Sequence, residues 1–145
     1  MVGTASPSRP HTAAFLTALQ AAGLAVKVGV APSGGGWQGD PGRSSFVPYA
    51  VLFPMPGNTD GDLADPNTYL DYQAQVTVVG VTADQTEATM DKAKAALVGA
   101  RLAVAGRSSY RVRLEPGGRP ITRDDQVTPA EYYCSAIFSL RTGPA

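Results

Sequence analysis

The segment Tyr72–Gly99, YQAQVTVVGVTADQTEATMDKAKAALVG, contains the most regular pattern in the chain. Its first half alternates apolar and polar residues with a period of two. The apolar set is Ala74, Val76 and Val78, and the polar set is Gln73, Gln75 and Thr77. This period is typical of a strand with one buried face. We therefore predict a strand over Tyr72–Val81.

The second half of the segment has the period of a helix. Thr82 and Gln85 have the spacing of a capping box, and Gly99 follows as a stop signal. Residues at steps of four, three and four form one narrow stripe: Thr86, Met90, Ala93 and Leu97. We predict a helix over Ala83–Val98 that packs on the sheet through this stripe.

One further helix and four further strands can be placed around this unit. The helix is predicted from Arg9 to Ala22, with Ser8 as its N-terminal cap and Gly23 as its stop. The strands are predicted over Leu24–Val30, Phe46–Phe53, Ser109–Leu114 and Tyr132–Arg141. Pro48 indicates an edge strand or the beginning of a strand. In the fourth of the five predicted strands, Tyr110, Val112 and Leu114 are expected to face the core.

Long loops separate these elements. Ala31–Ser45 and Pro54–Leu70 are rich in glycine and proline, and Glu115–Gly118 is predicted to form a turn. The order α, β, β, β, α, β, β predicts an α+β domain, with a mainly antiparallel sheet of about five strands and two helices packed on one face. We predict a single domain over residues 1–145, in which residues 1–7 are flexible.

Composition excludes several classes of function. The 12 basic and 12 acidic residues give a net charge of zero, so bulk attraction to nucleic acid or to an anionic membrane is not expected. No apolar run approaches the roughly 20 residues of a membrane helix. The N-terminal residues also lack the basic and hydrophobic regions of a signal peptide.

Residues suited to catalysis or metal binding are scarce. His11 and Cys134 are the only histidine and the only cysteine. We expect a surface histidine in a first helical turn and a buried, inert thiol on a strand. Zinc sites need about four nitrogen or sulfur ligands, which this chain does not offer. The sequence therefore predicts no catalytic residues, no metal site and no cofactor.

Two loops carry weak binding patterns. Gly42-Arg43-Ser44 has arginine in place of the lysine of a phosphate loop and lacks the preceding glycine, so a flexible loop around Trp37 is favoured. Four residues around Gly61 could bind calcium: Asn58, Asp60, Asp62 and Asp65. The position that an EF-hand fills with an acidic residue is Tyr69, so a solvated acidic loop is favoured.

The charges are divided into blocks along the chain. From Met55 to Asp91 every charged residue is acidic. From Arg101 to Arg123 the charges are arginines, opposed only by Glu115. Solvated faces are one interpretation of these blocks. The other is a head-to-tail contact in which the acidic loop of one subunit meets the basic strand of the next, as in heterologous rings.

A family resemblance is carried by several motifs. These are Val51–Gly57 (VLFPMPG), Asp60–Asp65 (DGDLAD), Asp71–Gly80 with the helix that follows, Arg123-Asp124-Asp125, and the closing strand from Tyr132-Tyr133 to Thr142. In layout and composition the chain, from about Pro10 to Thr142, resembles the tail terminator proteins of long-tailed, siphovirus-type bacteriophages, especially those of actinobacteriophages.

The resemblance implies a non-enzymatic structural virion protein. Such a subunit forms a homo-oligomeric ring, expected to be a hexamer, that caps the tail tube and stops its polymerisation. Its partners would be the tail-tube protein and the head-tail connector proteins, with DNA only passing through the ring lumen and no membrane involved. Its location would be the tail or neck of the virion, after assembly in the host cytoplasm.

The charge blocks and the glycine-rich loop supply candidate interface residues. We expect the acidic set to pair with the basic set of the neighbouring subunit. The candidates are Trp37, Arg43, Asp60, Asp62, Asp65, Arg107, Arg111 and Arg113. Trp37 is either a contact anchor or a side chain that folds back over the core.

Two alternative functions stay open at this point. The first is another neck component, such as a head-closure or head-tail joining protein, which would bind portal or adaptor rather than tail tube. The second is a monomeric ligand-binding or enzymatic α+β domain that uses the glycine-rich loop. A polar pocket with convergent ionisable groups would favour the second alternative.

Overall fold

The computed structural model describes residues 3–145. Two helices and nine strands follow one another in this order: α1 Arg9–Ala21, β1 Ala25–Val28, β2 Gly36–Trp37, β3 Phe46–Val47, β4 Tyr49–Pro54, β5 Asn58–Asp60, β6 Tyr69–Gly80, α2 Ala83–Leu97, β7 Arg107–Ser109, β8 Arg113–Asp124 and β9 Glu131–Pro144. The segment predicted to be flexible, 1–7, begins outside the described residues, and residues 3–7 of it are irregular chain.

Seven of the strands form one sheet, in which β1, β4, β6, β9 and β7 are neighbours in that order. In addition, β5 pairs with β6 and β8 pairs with β9, while β2 and β3 form a separate hairpin. The β1–β4 pair is parallel and the other pairs are antiparallel. The α+β class is therefore confirmed, but the sheet is mixed and has more strands than the five predicted.

Both helices pack on the same face of this sheet, as predicted. Alternate residues of β6 point to that face and are buried: Leu70, Tyr72, Ala74, Val76 and Val78. From α1, the Phe15 ring meets the Tyr72 ring edge-on, with centroids 5.3 Å apart. From α2, the predicted stripe of Thr86, Met90, Ala93 and Leu97 is buried. Among residues 3–145, no helix lies on the opposite face of the sheet.

The start of α2 follows the capping-box prediction closely. The Thr82 hydroxyl accepts a hydrogen bond from the Gln85 amide at 3.0 Å. The Gln85 side chain reaches back to accept from the Val81 amide at 2.9 Å, one residue before the usual partner. Each bond satisfies a backbone amide near a helix start.

The start of α1 departs from the prediction. Ser8 precedes the helix, but its side chain makes no capping bond. Its carbonyl oxygen instead accepts from the amides of His11 and Thr12. The predicted stop is confirmed, because Gly23 adopts a φ of 85°, a conformation that favours glycine.

The region after α2 differs most from expectation. The predicted strand Ser109–Leu114 is divided between β7 and β8, because the Val112 amide bonds to Ala100 rather than to a strand neighbour. Only Val112 of the three expected core residues is buried, at 1% exposure. Tyr110 is 51% exposed and Leu114 is 46% exposed. The expectation for these two side chains was wrong.

The predicted turn at Glu115–Gly118 is a bulge inside β8. The register with β9 shifts between Glu115 and Arg119 and again between Arg119 and Thr122, and the pairing then continues to Asp124. A Cβ atom on Gly118 would lie 2.5 Å from the Ser135 carbonyl oxygen, so the strands approach closely there. β8 therefore continues beyond residues 115–118, although the sequence of these residues is typical of a turn.

The two long loops also contain short strands. β2 and β3 flank residues 38–45, and β5 lies within the predicted loop Pro54–Leu70. Pro48 separates β3 from β4, which confirms it as a strand-start signal. β1 and β9 differ from prediction mainly at their ends.

Candidate interaction surfaces

The acidic loop, residues 60–65, is held by its own side chains. Asp62 Oδ1 accepts from the amides of Ala64 and Asp65, each at 2.9 Å. Asp65 Oδ1 accepts from the Asn67 amide at 3.0 Å. Leu63, between these aspartates, is fully exposed. The loop therefore presents one apolar side chain between two anionic side chains, and its own hydrogen bonds hold its backbone in place.

Arg141 of β9 anchors the beginning of this loop within the subunit. Its guanidinium lies 3.0 Å from Asp60 Oδ2 and 3.4 Å from Asp71 Oδ1. It also lies over the Tyr69 ring, 4.3 Å from the centroid. The candidate set from the sequence did not include Arg141. Its role as a partner of Asp71 becomes visible only from the strand register, which places the two residues opposite each other.

Arg107 anchors the end of the same region. Its guanidinium donates to the carbonyl oxygens of Thr68 and Thr142, both at 3.0 Å, and to the Thr142 hydroxyl at 3.3 Å. These bonds join β7, the chain before β6 and the end of β9. Asp60 and Arg107 are therefore both bonded within the same chain.

Three arginines surround a concave surface, which we call the basic concavity. Arg101, Arg111 and Arg113 line it together with Ser108, Ser109 and Tyr110, and its volume is about 550 Å³. Arg111 donates to the Gly99 carbonyl at 2.8 Å. Within residues 3–145, none of the three arginines has a carboxylate oxygen within 4.0 Å. The Ser109 hydroxyl is buried without a hydrogen-bond partner among the same residues.

An apolar groove adjoins the basic concavity. Helix α1 and residues 101–105 form its walls, and its volume is about 490 Å³. Alanines dominate the lining, Leu102 adds a larger apolar side chain, and Thr17 lies exposed along the helix side. Arg101 lines both surfaces and is the only charged residue of the groove lining. The apolar groove and the basic concavity therefore meet at Arg101.

Trp37 lies in the β2–β3 hairpin and is half-buried. Its ring meets the Phe46 ring edge-on at 5.1 Å, and Phe46 in turn lies 6.2 Å from Tyr49. A Cβ on Gly35 would lie 2.5 Å from the Tyr49 side chain, so this glycine lets the hairpin fold against the sheet. Arg43 is exposed on the connecting loop. The rings fold back on β4, and part of Trp37 stays accessible.

A polar groove of about 360 Å³ lies on the helix-free face of the sheet. Its charged lining residues are Asp71, Arg111, Arg113, Glu115 and Arg141. Arg141 is engaged by Asp71 and Asp60, and Glu115 accepts from the Ser139 hydroxyl at 2.6 Å. Most of its ionisable groups are therefore engaged with neighbours in the same subunit.

The two residues considered for nucleophilic chemistry are both buried. His11 was expected on the surface, but it is fully buried beneath β9 and stacks on Tyr72 with centroids 5.5 Å apart. Burial lowers its pKa, a hydrogen bond to the Pro7 carbonyl opposes that effect, and the charge of Arg107 adds to it. Burial raises the pKa of the Cys134 thiol, whose predicted burial is confirmed.

Residues 3–145 contain no group of three or more His, Cys, Asp or Glu side chains able to hold a metal ion. Neither α1 nor α2 is long and apolar enough to span a membrane.

Comparison with known proteins identifies similar folds. No protein-family model matches the chain, and no curated protein matches it. A solved chain from the virion of a native gene transfer agent (GTA) particle aligns with a TM-score of 0.55 and 18% identity, over 90% of this chain and 92% of that chain. A second solved chain aligns with a TM-score of 0.60 and 18% identity, over 96% and 97%. At this level of identity, both likenesses establish a shared fold.

Proposed function

We propose that this chain is a non-enzymatic structural virion protein: a tail terminator that forms a hexameric ring on the tail tube, stops tube polymerisation and joins the tube to the head connector. The observation that carries the proposal is the fold shared with a chain of a GTA virion, which extends over 90% of this chain and 92% of that one. A match of nearly whole chain to nearly whole chain supports an equivalent role as a virion subunit. The sequence resemblance to tail terminators supports the particular position.

The proposal includes the location and partners of the ring. The subunit assembles in the host cytoplasm and is incorporated into the neck of the virion. It contacts the tail-tube protein on one side and the connector proteins on the other, and DNA passes through the lumen. No cofactor takes part in this role.

The candidate interface residues separate into two groups by their contacts. Asp60 and Arg107 are bonded inside the subunit, so we assign them to holding the acidic loop in shape. Asp62 and Asp65 have no arginine or lysine nitrogen within 4.0 Å among residues 3–145. We therefore assign the pairing between neighbouring subunits to these two aspartates and to Arg111 and Arg113.

We assign the β2–β3 hairpin to a different contact. Trp37 and Arg43 lie on a separate element from the acidic loop and the basic concavity. A hairpin with a partly accessible tryptophan suits contact with the tube or the connector, because aromatic and arginine side chains are favoured interface anchors.

Light scattering on a sizing column tests the proposal, with the protein alone and after addition of polymerised tail-tube protein. A hexamer in solution, or a ring that appears only on tube ends, supports the terminator role. A monomer that binds neither tubes nor connector rings overturns it. In that case the polar groove on the helix-free face becomes the candidate ligand site.

A second candidate is a head-closure or head-tail joining protein. The likeness to a GTA virion chain favours a virion protein without specifying its layer. Binding to portal or adaptor rings, with no binding to tail tubes, would favour this second candidate over the first.

A further inference from the structure

We propose that Leu63 of the acidic loop inserts into the apolar groove of a second copy of this chain, while Asp62 and Asp65 pair with the arginines of the adjoining basic concavity. This inference rests on the proposed function, because it supplies the contact between ring subunits. The charge blocks predicted only ion pairs between neighbouring subunits. The inference adds Leu63 as an apolar anchor and Arg101 as a further basic residue of the contact.

The acidic loop has the form of a preorganised ligand. Leu63 is fully exposed, and the aspartates on either side of it bond to backbone amides of the loop. Arg141 and Arg107 fix the chain at the two ends of this region. A loop that already holds its shape loses little conformational entropy on binding.

The groove and the basic concavity together form the matching receptor. The groove is lined by small apolar side chains and has a volume of about 490 Å³, which admits a leucine side chain. Arg101 lies where the groove meets the concavity, and Arg111 and Arg113 lie beyond it. The loop carries an apolar side chain between two carboxylates. The receptor correspondingly has an apolar groove next to three arginines that have no carboxylate oxygen within 4.0 Å among residues 3–145.

In a ring this contact would be heterologous, with the loop of one subunit in the groove of the next. Such a contact uses one surface on each subunit and leaves the other free for the next, so it continues head to tail until the rotation closes a ring. The apolar anchor supplies the buried area, and the ion pairs fix partner and register.

Cysteine cross-linking between two separately prepared variants tests this contact directly. Both carry Cys134→Ser, which removes the only cysteine. One variant then carries Leu63→Cys and the other Thr17→Cys, whose position is exposed along the groove. Neither variant can form this disulfide within one chain, so a heterodimer reports contact between molecules. We expect it to form about tenfold faster than in the control, because docking raises the effective concentration of the two thiols.

The matched control replaces Thr17→Cys with Val127→Cys, an exposed position on the loop between β8 and β9. Equal rates for the two mixtures, both without and with tail tubes, would overturn the inference. Arg113→Glu in the Thr17→Cys variant should slow the reaction, and Asp62→Arg in the Leu63→Cys variant should restore it. Failure of the second charge reversal to restore the rate would also count against the specific pairing.

A ring assay separates this inference from the proposed function. If wild-type protein forms no ring on tubes, the proposed function fails. If wild-type protein forms a ring and Leu63→Glu forms it equally well, only the docking contact fails. A benzophenone attached at Thr17→Cys that cross-links to tube protein instead of a second copy would assign the groove to the tube and overturn the proposed occupant.

Discussion

The Nε2 atom of His11 lies 2.7 Å from Oγ1 of Thr142, and this bond joins the first helix to the last strand. Nδ1 of the same ring lies 3.1 Å from the Pro7 carbonyl oxygen, which can only accept, so Nδ1 carries the hydrogen. Burial lowers the pKa of His11 and so favours the neutral imidazole. In that form the Thr142 hydroxyl donates to Nε2 and accepts from Arg107.

The stability of the fold should therefore depend on the protonation of His11. Its pKa is lowered from 6.5 chiefly by burial. Below about pH 6.5 the unfolded chain binds a proton that the folded chain excludes, so the free energy of unfolding decreases as pH falls towards the folded-state pKa. Urea unfolding at a series of pH values measures this slope. His11 is the only histidine, but the pKa of Glu131 is raised towards this window by burial and by Asp124, so the contribution of His11 is isolated by comparison with a variant that lacks it.

His11→Gln provides the control for the pH dependence. Glutamine cannot titrate, so the unfolding free energy of the variant should depend much less on pH between about pH 6.5 and 5. At neutral pH the variant is expected to be less stable than the wild type by about 1–3 kcal/mol. Equal slopes for the two proteins would show that His11 does not cause the acid sensitivity.

Arg141→Ala should loosen the acidic loop. The substitution removes the bonds to Asp60 and Asp71 and the contact with the Tyr69 ring. Because these groups are partly solvated, the loss in unfolding free energy should be about 1 kcal/mol. Amide hydrogen exchange over residues 58–65 should become faster by more than the decrease in the free energy of global unfolding accounts for.

Arg123→Ala is the matched control for that prediction. Arg123 also contacts a carboxylate, that of Asp125 at 2.7 Å, but both side chains are largely exposed. Its removal should leave both the stability and the acidic-loop exchange near the wild-type values. If both substitutions act alike on the loop, Arg141 is not its anchor.

Gly118→Ala should destabilise β8 because the strand bulge leaves no room for a side chain. The added Cβ would lie 2.5 Å from the Ser135 carbonyl oxygen, so the backbone must shift. We expect a loss of about 1–3 kcal/mol in unfolding free energy. Gly34→Ala is the control, since its Cβ meets nothing within 4 Å and should change stability little. Thermal unfolding of the two variants distinguishes them, and equal effects would refute the steric explanation.

The same bulge illustrates what the sequence could predict. The β6–α2 unit was predictable because its signals lie in neighbouring residues: the alternation of apolar and polar residues in β6 and the Thr82–Gln85 cap of α2. β8 was not, because Pro116-Gly117-Gly118 has turn chemistry in isolation, whereas the chain resumes its pairing with β9 at Arg119. Sequence order also does not show that β1 pairs in parallel with β4.

The candidate surfaces were predictable to a similar extent. The acidic and basic blocks were visible as charge runs, but their contacts depend on strand register. Arg141 becomes an anchor only because β9 places it opposite Asp71, and Arg107 turns inward because Thr142 and Thr68 offer carbonyl oxygens. His11 is buried because β9, more than a hundred residues later, covers it.

Trp37 provides an optical test of the hairpin surface, because it is the only tryptophan. Its ring is held edge-on against Phe46 and is partly accessible. If the hairpin contacts the tube or the connector, iodide should quench Trp37 fluorescence less in the assembled ring than in the free protein. Emission from partner proteins is subtracted by repeating the measurement with Trp37→Phe.

A second substitution separates contact with a partner from packing inside the subunit. Phe46→Ala removes the ring on which Trp37 rests, so the emission of the free protein should shift to longer wavelength as the indole becomes more solvated. Quenching that stays unchanged on assembly, together with this red shift, would mean that the hairpin serves to cover Tyr49 and β4. A decrease in iodide quenching on assembly would instead place Trp37 in a contact with a neighbour. In the free protein Phe46 covers only part of the indole, so a partner would have to cover the rest.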